Sequence, residues 1–305
     1  MKITFKLPKI LSWTIILLSV LAALIYYFRL EALAWYAWHN YYHTNTDDNG
    51  FHMRHYQVAI DGLPLEALEN ASGLTFNDKR NTLFTVLNKE SKIIEFDLQG
   101  NIIREVAVVG AEDMEGITYV EGNRYVIADE RDNRLVEIEL EDDATVIDIT
   151  NAPKINLGIN AAGNKNFEGV SWDDVNNRLL VVKERDPKYI MSVTGFFNAD
   201  LSKPLNIQIK KIEAFDKAIK WAMRDLSSVT FHSETGHLLL LSDESRLIKE
   251  YDEDGKALSA LALWKGFHGL KAHVPQAEGI AVGPDKSIYI MSEPNLFYVF
   301  KQPKQ

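Results

Sequence analysis

The sequence of 305 residues contains no cysteine, which excludes disulfides, zinc–thiolate centres, iron–sulfur clusters and cysteine nucleophiles. Basic clusters are also lacking, since the formal net charge is -10 and Asp and Glu are spread along the chain. Proteins bind nucleic acids through Lys and Arg that neutralise phosphates, so we expect no nucleic-acid partner. The G-x-S-x-G, P-loop and H-E-x-x-H motifs are absent as well, which removes three common signatures of enzymes.

The longest uncharged apolar run lies near the N-terminus, at residues 10–28. As a helix it would span roughly 28 Å, close to the thickness of a bilayer core. Lys2, Lys6 and Lys9 precede the run, so the positive-inside rule predicts a cytoplasmic N-terminus. A cleaved signal peptide is the alternative, but it would have a shorter apolar run and a small-residue cleavage site. We therefore predict a retained, single-pass membrane anchor.

These features divide the chain into three parts. Residues 1–30 form the basic tip and the transmembrane anchor, residues 31–53 a juxtamembrane linker, and residues 54–305 the folded domain. In a bacterium this topology predicts an inner-membrane protein whose folded domain lies in the periplasm. The linker aromatics either form a belt at the membrane interface or pack on the domain: Trp35, Tyr36, Trp38, Tyr41 and Tyr42.

A repeated motif runs through the folded domain. The stretches DMEGITYV, NFEGVSWD and QAEGIAVG each place a Glu-Gly pair before a short apolar run, and NASGLTFN and DLSSVTFH are weaker relatives. The five units begin 43 to 59 residues apart, which is the length of a four-stranded propeller blade with its loops. The aligned first positions are Ser72, Glu115, Glu168, Ser227 and Glu278.

Each unit continues with a turn, an apolar second strand and an alternating third strand, so the sequence predicts an all-β, five-bladed β-propeller. The last unit lacks a fourth strand, whereas residues 54–60 (RHYQVAI) precede the first unit without a blade of their own. We expect this N-terminal strand to complete the last blade and close the ring. Six blades are the alternative, if residues 188–225 contain another blade.

Two positions of the repeat predict a concentration of acidic groups. The first is the Glu of the Glu-Gly pair. The Gly that follows it is expected where the innermost strands crowd around the channel, because only small residues fit there. The second follows the second strand, which is antiparallel to the first, so the two positions should lie side by side. This second position holds Glu90, Glu130, Glu184, Glu244 and Glu293. We expect the pairs Glu115 with Glu130, Glu168 with Glu184, and Glu278 with Glu293.

Carboxylates that crowd at one end of a channel require a compensating positive charge. Lys89, Arg131, Lys183 and Arg185 could supply it as a structural ring of salt bridges. A bound cation is the other interpretation, and oxygen ligands without Cys or clustered His favour calcium. The candidate ligands are Glu115, Glu168 and Glu278, then Glu130, Glu184, Glu244, Glu293 and Asp129, with Asn88 as a further candidate.

The segments ASGLTFN, DMEGITY, FEGVSWD, VVKERDP and AEGIAV, together with the N-terminal anchor, resemble the SdiA-regulated, YjiK-like family of bacterial proteins over residues 57–301. The resemblance implies a five-bladed propeller, a calcium site and no established activity. More distantly, the chain is similar to NHL-repeat propellers and to gluconolactonase-like and paraoxonase-like enzymes. In those enzymes a channel calcium polarises a carbonyl while a nearby base activates water.

The resemblance matches the glutamate of those enzymes to Glu115, Glu168 and Glu278. The chain departs from them because it has no positioned pair of histidines and no clear Asn ligand in its inner strands. Three functions therefore compete: a calcium-binding module for an unknown small molecule or protein, a calcium-dependent hydrolase of an ester, lactone or phosphoester, and a scaffold whose acidic ring is purely structural. A propeller fold is compatible with all three.

Overall fold

A computed structural model describes residues 9–42, 49–66, 68–158, 167–185, 187–197, 204 and 206–303. Two helices come first, α1 (Lys9–Tyr27) and α2 (Leu30–Tyr42). A 3₁₀ turn at Met53–His55 leads into a succession of strands, which a short helix, α3 (Asp216–Ala222), interrupts.

The strands form five mainly antiparallel sheets, which are the blades of a propeller. Strand β1 (Gln57–Pro64) belongs to the last blade. The first blade contains β2 (Ala71–Asn77), β3 (Thr82–Leu87), β4 (Lys92–Phe96) and β5 (Ile102–Val109). The second contains β6 (Met114–Glu121), β7 (Arg124–Asp129) and β8 (Arg134–Glu139). The chain then adds β9 (Val146–Asp148) in parallel to β5 and returns with β10 (Lys154–Asn156) to complete the second blade.

The remaining three blades have regular meander order. The third contains β11 (Phe167–Asp173), β12 (Arg178–Lys183), β13 (Tyr189–Thr194) and β14 (Gln208–Lys211). The fourth contains β15 (Ser228–His232), β16 (His237–Ser242), β17 (Leu247–Tyr251) and β18 (Ala257–Ala262). The fifth contains β19 (Ala277–Val282), β20 (Ile288–Ser292) and β21 (Leu296–Lys301), with β1 as its outer strand.

The five blades close into a ring. The first strands of the blades contact one another in chain order, and β19 contacts β2. Strand β1 pairs with β21, from Gln57 opposite Lys301 to Pro64 opposite Leu296. The predicted five-bladed propeller and its closure by the N-terminal strand are thus confirmed. Residues 188–225 supply β13, β14 and α3, and the described part of this segment contains no further blade.

The apolar second strands form the cores between blades. Every residue of β3 and of β16 is buried, as expected for strands that are covered on both faces. Between the fourth and fifth blades, for example, Leu241 and Ile248 pack in one cluster with Ile280 and Ile290. This packing holds adjacent blades against each other.

The repeated glycines lie where inner strands of adjacent blades approach most closely. A Cβ atom on Gly279 would lie 2.7 Å from the carbonyl carbon of Gly73, and one on Gly116 would lie 3.0 Å from the carbonyl oxygen of Glu168. Such contacts do not fit without a backbone shift, and Gly279 does not have the positive φ that would itself require glycine. The glycines are therefore structural, as their sequence position predicts.

Helix α1 is 19 residues long, has the length and composition of a membrane span, and buries none of its side chains in the rest of the protein. Helix α2, by contrast, packs on the fourth blade. The Tyr36 hydroxyl lies 2.8 Å from His268 Nε2, and Glu31 forms an ion pair with Arg224. Trp35 also packs on the domain, whereas the other linker aromatics are exposed: Trp38, Tyr41 and Tyr42.

Beneath α2 lies a lysine that is completely buried. Lys249 of β17 has no exposed surface, and its Nζ atom lies 3.0 Å from the centre of the Trp35 ring. Among the described residues, Nζ has no hydrogen-bond partner. Burial therefore lowers the pKa of Lys249 well below 10.5, and the attraction of the ammonium to the Trp35 ring compensates only part of its lost hydration.

We expect Lys249→Met to stabilise the protein by about 1 kcal/mol or more at pH 7, because it removes a buried cation. Since the folded form binds fewer protons than the unfolded form below pH 10.5, the stability of the parent protein rises with pH in this range. The variant should lose this pH-dependent part of the stability, so the difference in the free energy of unfolding between variant and parent should shrink toward pH 10. Urea unfolding at pH 7, 8.5 and 10 measures this difference.

The exposed Lys256→Met substitution serves as the control, and it should leave both the stability and its pH dependence unchanged. A stability difference between Lys249→Met and the parent that stays constant at all three pH values would contradict the lowered pKa of Lys249.

Candidate metal centre

Three glutamates stand at the start of inner strands, at one end of the channel. Glu115 lies on β6, Glu168 on β11 and Glu278 on β19, each directly before a crowded glycine. They are close enough for the charges of Glu115 and Glu278 to act on Glu168. We call this end of the channel the carboxylate mouth, defined by Glu115, Glu168 and Glu278.

The surroundings of these carboxylates oppose their ionisation. Burial, assisted by the charges of Asp113 and Glu130, raises the pKa of Glu115 to about 7, although hydrogen bonds with Ser72 and Asn88 oppose the shift. Burial also raises the pKa of Glu168 well above 4.5, with contributions from Glu115 and Glu278. Glu278 behaves in the same way, because burial raises its pKa and several acidic neighbours add to the effect. The carboxylate mouth thus carries more negative charge than its environment stabilises.

A second carboxylate group adjoins Glu115. One oxygen each of Asp113, Glu115 and Glu130 lies within 4.8 Å of the other two, a geometry that can hold a metal ion. Glu130 directly follows β7 and is 6% exposed, and its backbone N–H donates to the Asp113 carbonyl over 2.8 Å. The antiparallel pairing of β6 with β7 therefore produces the predicted proximity of Glu115 and Glu130.

Asn88 adds a neutral oxygen to the same site. Its Nδ2 atom donates to Glu115 Oε1 over 3.2 Å, while its Oδ1 atom is buried and has no hydrogen-bond partner among the described residues. A buried carbonyl oxygen without a donor is costly, and a cation would satisfy it. Carboxylate and amide oxygens around one point form the kind of ligand set that a hard cation requires.

Among the described residues, no Lys or Arg pairs with the three defining glutamates. In the described part of the chain, neither Glu115 nor Glu168 nor Glu278 forms an ion pair, although the charge of Arg185 lowers the pKa of Glu168 slightly. Arg185 instead binds two outer carboxylates, Glu184 and Glu244, the latter over 2.6 Å. Compensation by salt bridges therefore acts at the periphery of the mouth and not at its centre.

The remaining candidate ligands differ in whether their carboxylates have hydrogen-bond or ion-pair partners. Asp129 is buried and accepts from Arg134 over 2.7 Å, although its second oxygen has no partner among the described residues. Glu293 lies near Glu278, as predicted, and accepts from Gln276 over 3.4 Å. Glu90 forms an ion pair with Lys92 over 2.7 Å. Glu184, Glu244, Glu293 and Asp129 thus surround an inner group that consists of Glu115, Glu130, Glu168 and Glu278.

Asp113 is a site residue that the sequence interpretation missed. It stands two residues before Glu115, and a polar residue occupies the same position in every unit of the repeat, so the signal was present in the motif. In the fourth blade the equivalent residue is Asp225, which is buried and accepts from the Glu244 backbone N–H over 3.1 Å. There the position fixes the turn after β16; in the second blade it contributes an oxygen to the carboxylate group.

Histidines that could serve as catalytic bases lie in other surroundings. His268 contacts Tyr36 and, through Nδ1, the Tyr56 carbonyl, so it fixes α2 on the domain. His273 packs edge-on against Trp264. His232 ends an inner strand, at the opposite end of the channel from the glutamates.

Comparison with known proteins agrees with the architecture and with the repeated motif. The model of the family described as SdiA-regulated matches residues 48–301. The chain belongs to the SdiA-regulated family. The resemblance that the repeated motifs indicated is thereby confirmed, and the match covers the entire propeller of this family member.

The chain is also similar to solved structures of low sequence identity. A luciferin-regenerating enzyme is 11% identical, with 80% of this chain and 95% of that chain covered and a TM-score of 0.51. A chain of a nidogen/laminin complex is 14% identical over 78% and 85%, with a TM-score of 0.48. Regucalcin from Agrobacterium tumefaciens, described as a calcium-binding protein, is 14% identical over 79% and 93%, with a TM-score of 0.46. The luciferin-regenerating enzyme, whose TM-score exceeds 0.5, supports a shared fold and nothing more about this chain.

The crowded charge at the carboxylate mouth predicts that a neutral side chain there stabilises the metal-free protein. We expect Glu168→Gln to raise the unfolding temperature in the presence of EDTA at pH 8 by several degrees, because about 1 kcal/mol corresponds to 2–4 °C in a domain of this size. Differential scanning calorimetry of the full chain in detergent measures this effect. The exposed Glu253→Gln should change nothing, and a lower unfolding temperature for Glu168→Gln would contradict the charge crowding.

Proposed function

We propose that this protein is a membrane-anchored, extracytoplasmic propeller that binds calcium at its carboxylate mouth and uses the bound ion to hold a ligand. The observation that carries the proposal is the carboxylate mouth: Glu115, Glu168 and Glu278 are half-buried and form no ion pair in the described part of the chain, and the unpartnered Asn88 oxygen lies beside Glu115. A divalent cation would compensate the charge and satisfy that oxygen at once.

Calcium suits this site better than a transition metal. The candidate ligands are all oxygens, from Asp113, Glu115, Glu130 and Asn88, with Glu168 and Glu278 facing the same channel. Calcium prefers six to eight oxygen ligands in flexible geometry, so a protein that supplies some of them leaves positions for water or for a ligand oxygen. When bound, the ion would attract a carbonyl, carboxylate or phosphate oxygen of that ligand.

The anchor determines which way the carboxylate mouth faces. Arg29, two residues after α1, donates to the Asp243 carbonyl over 3.0 Å, and the Arg224 guanidinium lies 4.2 Å from the ring centre of Tyr26. Asp243 belongs to the turn after β16, which is at the same end of the domain as the glutamates. With α1 in the bilayer, the carboxylate mouth faces the membrane surface, and the ligand enters between membrane and protein.

A binding function explains the described residues more simply than hydrolysis does. The histidines described above make contacts away from the inner carboxylates, so the described residues supply no histidine base beside a bound metal. A small-molecule or protein ligand that coordinates the ion requires no such group. We therefore propose a binding module, and the calcium-dependent hydrolase stays the alternative to be tested with lactone and ester substrates.

Calcium should raise the unfolding temperature of the full chain in detergent by about 5–10 °C at a concentration a hundredfold above its dissociation constant, because ligation then contributes about 2.7 kcal/mol. Glu168→Gln should reduce this shift by at least half, whereas Glu253→Gln should retain it. Magnesium, which demands stricter geometry, should act more weakly. If calcium does not raise the unfolding temperature, or raises it equally in Glu168→Gln and Glu253→Gln, the inner carboxylates are excluded as the binding site.

The anchor makes a separate prediction about topology. After expression in a bacterium, the intact chain should remain in the membrane pellet after carbonate extraction, since an uncharged helix of 19 residues holds it there. Protease should remove the propeller when it is added to spheroplasts and should leave it intact when it is added to whole cells. This result is expected if the domain lies in the periplasm. A soluble periplasmic product that begins after residue 27, identified by mass spectrometry, would show that α1 is a cleaved signal.

A further inference from the structure

The end of the channel opposite the carboxylate mouth contains a cavity of about 320 Å³. All five inner strands contribute to its wall, near their C-terminal ends. From Glu115 to Tyr119, at about 3.3 Å per residue, an inner strand runs roughly 13 Å, so the two ends of the channel are separate places. A volume of this size is at the lower limit for small-molecule sites.

Aromatic rings recur at equivalent positions of this wall. The residue four positions after the repeated Glu or Ser is aromatic in four of the five blades, and each of these rings is only partly buried. The fifth blade has Val282 at this position. We call this end of the channel the aromatic mouth, defined by Phe76, Tyr119, Trp172 and Phe231.

The backbone of each ring-bearing residue is held by the neighbouring blade. The Tyr119 N–H donates to Thr75 Oγ1, the Trp172 N–H to Thr118 Oγ1 and the Phe231 N–H to Ser171 Oγ, each over 2.9 Å. These hydroxyls are buried, and they precede the aromatic residues of their own blades in the chain. The rings are therefore attached to a rigid frame, which lowers the entropic cost of binding a ligand among them.

The rim of the cavity is acidic. Asp78, Asp174 and Glu234 are exposed at its edge, and the lining that the structure describes includes no Lys or Arg. Asp174 accepts from Ser233 Oγ over 2.6 Å, which orients its carboxylate. Aromatic faces and carboxylates both attract positive charge, whereas a neutral or anionic ligand would gain nothing from the rim or would be repelled by it.

We propose that the aromatic mouth is a second ligand site, which binds a small organic cation such as a quaternary or primary ammonium group. The cation enters past Asp78, Asp174 and Glu234 and rests against the rings of Tyr119, Trp172 and Phe231. This site does not depend on calcium or on the carboxylate mouth. It faces away from the anchor, so a periplasmic solute reaches it directly.

The probe is tetramethylammonium, titrated into the full chain in a maltoside detergent, whose head group carries no ammonium, at low ionic strength. Isothermal titration calorimetry should show saturable binding, and ligand-observed NMR should show contact between its methyl groups and aromatic protons. The neutral isostere tert-butanol should bind at least tenfold more weakly. Equal binding of the two compounds would overturn the proposal of a cation site, as would the absence of saturation by tetramethylammonium.

Variants locate the site. Trp172→Leu should weaken tetramethylammonium binding by about twofold to thirtyfold, the range expected for loss of one cation–π contact. Because Trp172 also packs on Phe197, the exposed Asp174→Asn with Glu234→Gln provides a second measurement without risk to folding, and it should weaken binding at least threefold. Unchanged affinity in this double variant would place the cation elsewhere.

A control separates this site from the proposed calcium function. Glu168→Gln should bind tetramethylammonium like the parent, and saturating calcium should not compete. Loss of tetramethylammonium binding in Glu168→Gln, or competition by calcium, would show that the organic cation occupies the carboxylate mouth and would refute a second site.

Discussion

The structure depends on the close approach of five inner-strand backbones around one axis. Glycine at the repeated position allows this approach, because a Cβ atom there would collide with the next blade. The same approach forces the residues beside those glycines into one another's electrostatic field, as the interaction of Glu168 with Glu115 and Glu278 shows. Packing and charge crowding are thus two results of a single geometric constraint, and the folding energy of the ring holds the carboxylates in place.

Each inner strand carries different chemistry at its two ends. The first four begin with an acidic or small polar residue and end with a ring, and in the first three a hydroxyl before the ring binds the neighbouring blade. The fifth begins with Glu278 and ends with Val282. Because the motif is repeated around the axis, the channel has a carboxylate mouth at one end and an aromatic mouth at the other. In the described part of the chain, Arg185 joins Glu184 and Glu244 at the periphery of the carboxylate mouth, and the three glutamates that define the mouth form no ion pair.

Much of this architecture was predictable from the sequence, because a propeller blade is a local unit whose period and turns appear in the chain. The Glu-Gly motif, the five blades and the closing strand followed from the repeat. The pairs Glu115 with Glu130 and Glu278 with Glu293 followed from antiparallel pairing. Glu168 was predicted to meet Glu184, but Glu184 pairs with Arg185, and the strongest acidic influences on Glu168 come from the other inner strands.

Other features required the three-dimensional arrangement. The contact of Tyr36 with His268 joins residues 232 positions apart, and no local pattern indicates it. The unpartnered oxygen of Asn88 emerges only when its neighbours are placed, since its amide donates to Glu115. The parallel pairing of β9 with β5 of the first blade likewise depends on an exposed edge of β5, which the sequence does not indicate.

The pairing of β1 with β21 has a consequence for biosynthesis. Strand β1 is made before the other strands, but its partner β21 is almost the last segment to be made. The first four blades can therefore assemble in turn while the hydrogen-bonding edge of β1 has no partner. Completion of the ring is therefore a late step of folding, and a chain truncated before residue 296 would expose two open edges to aggregation and proteolysis.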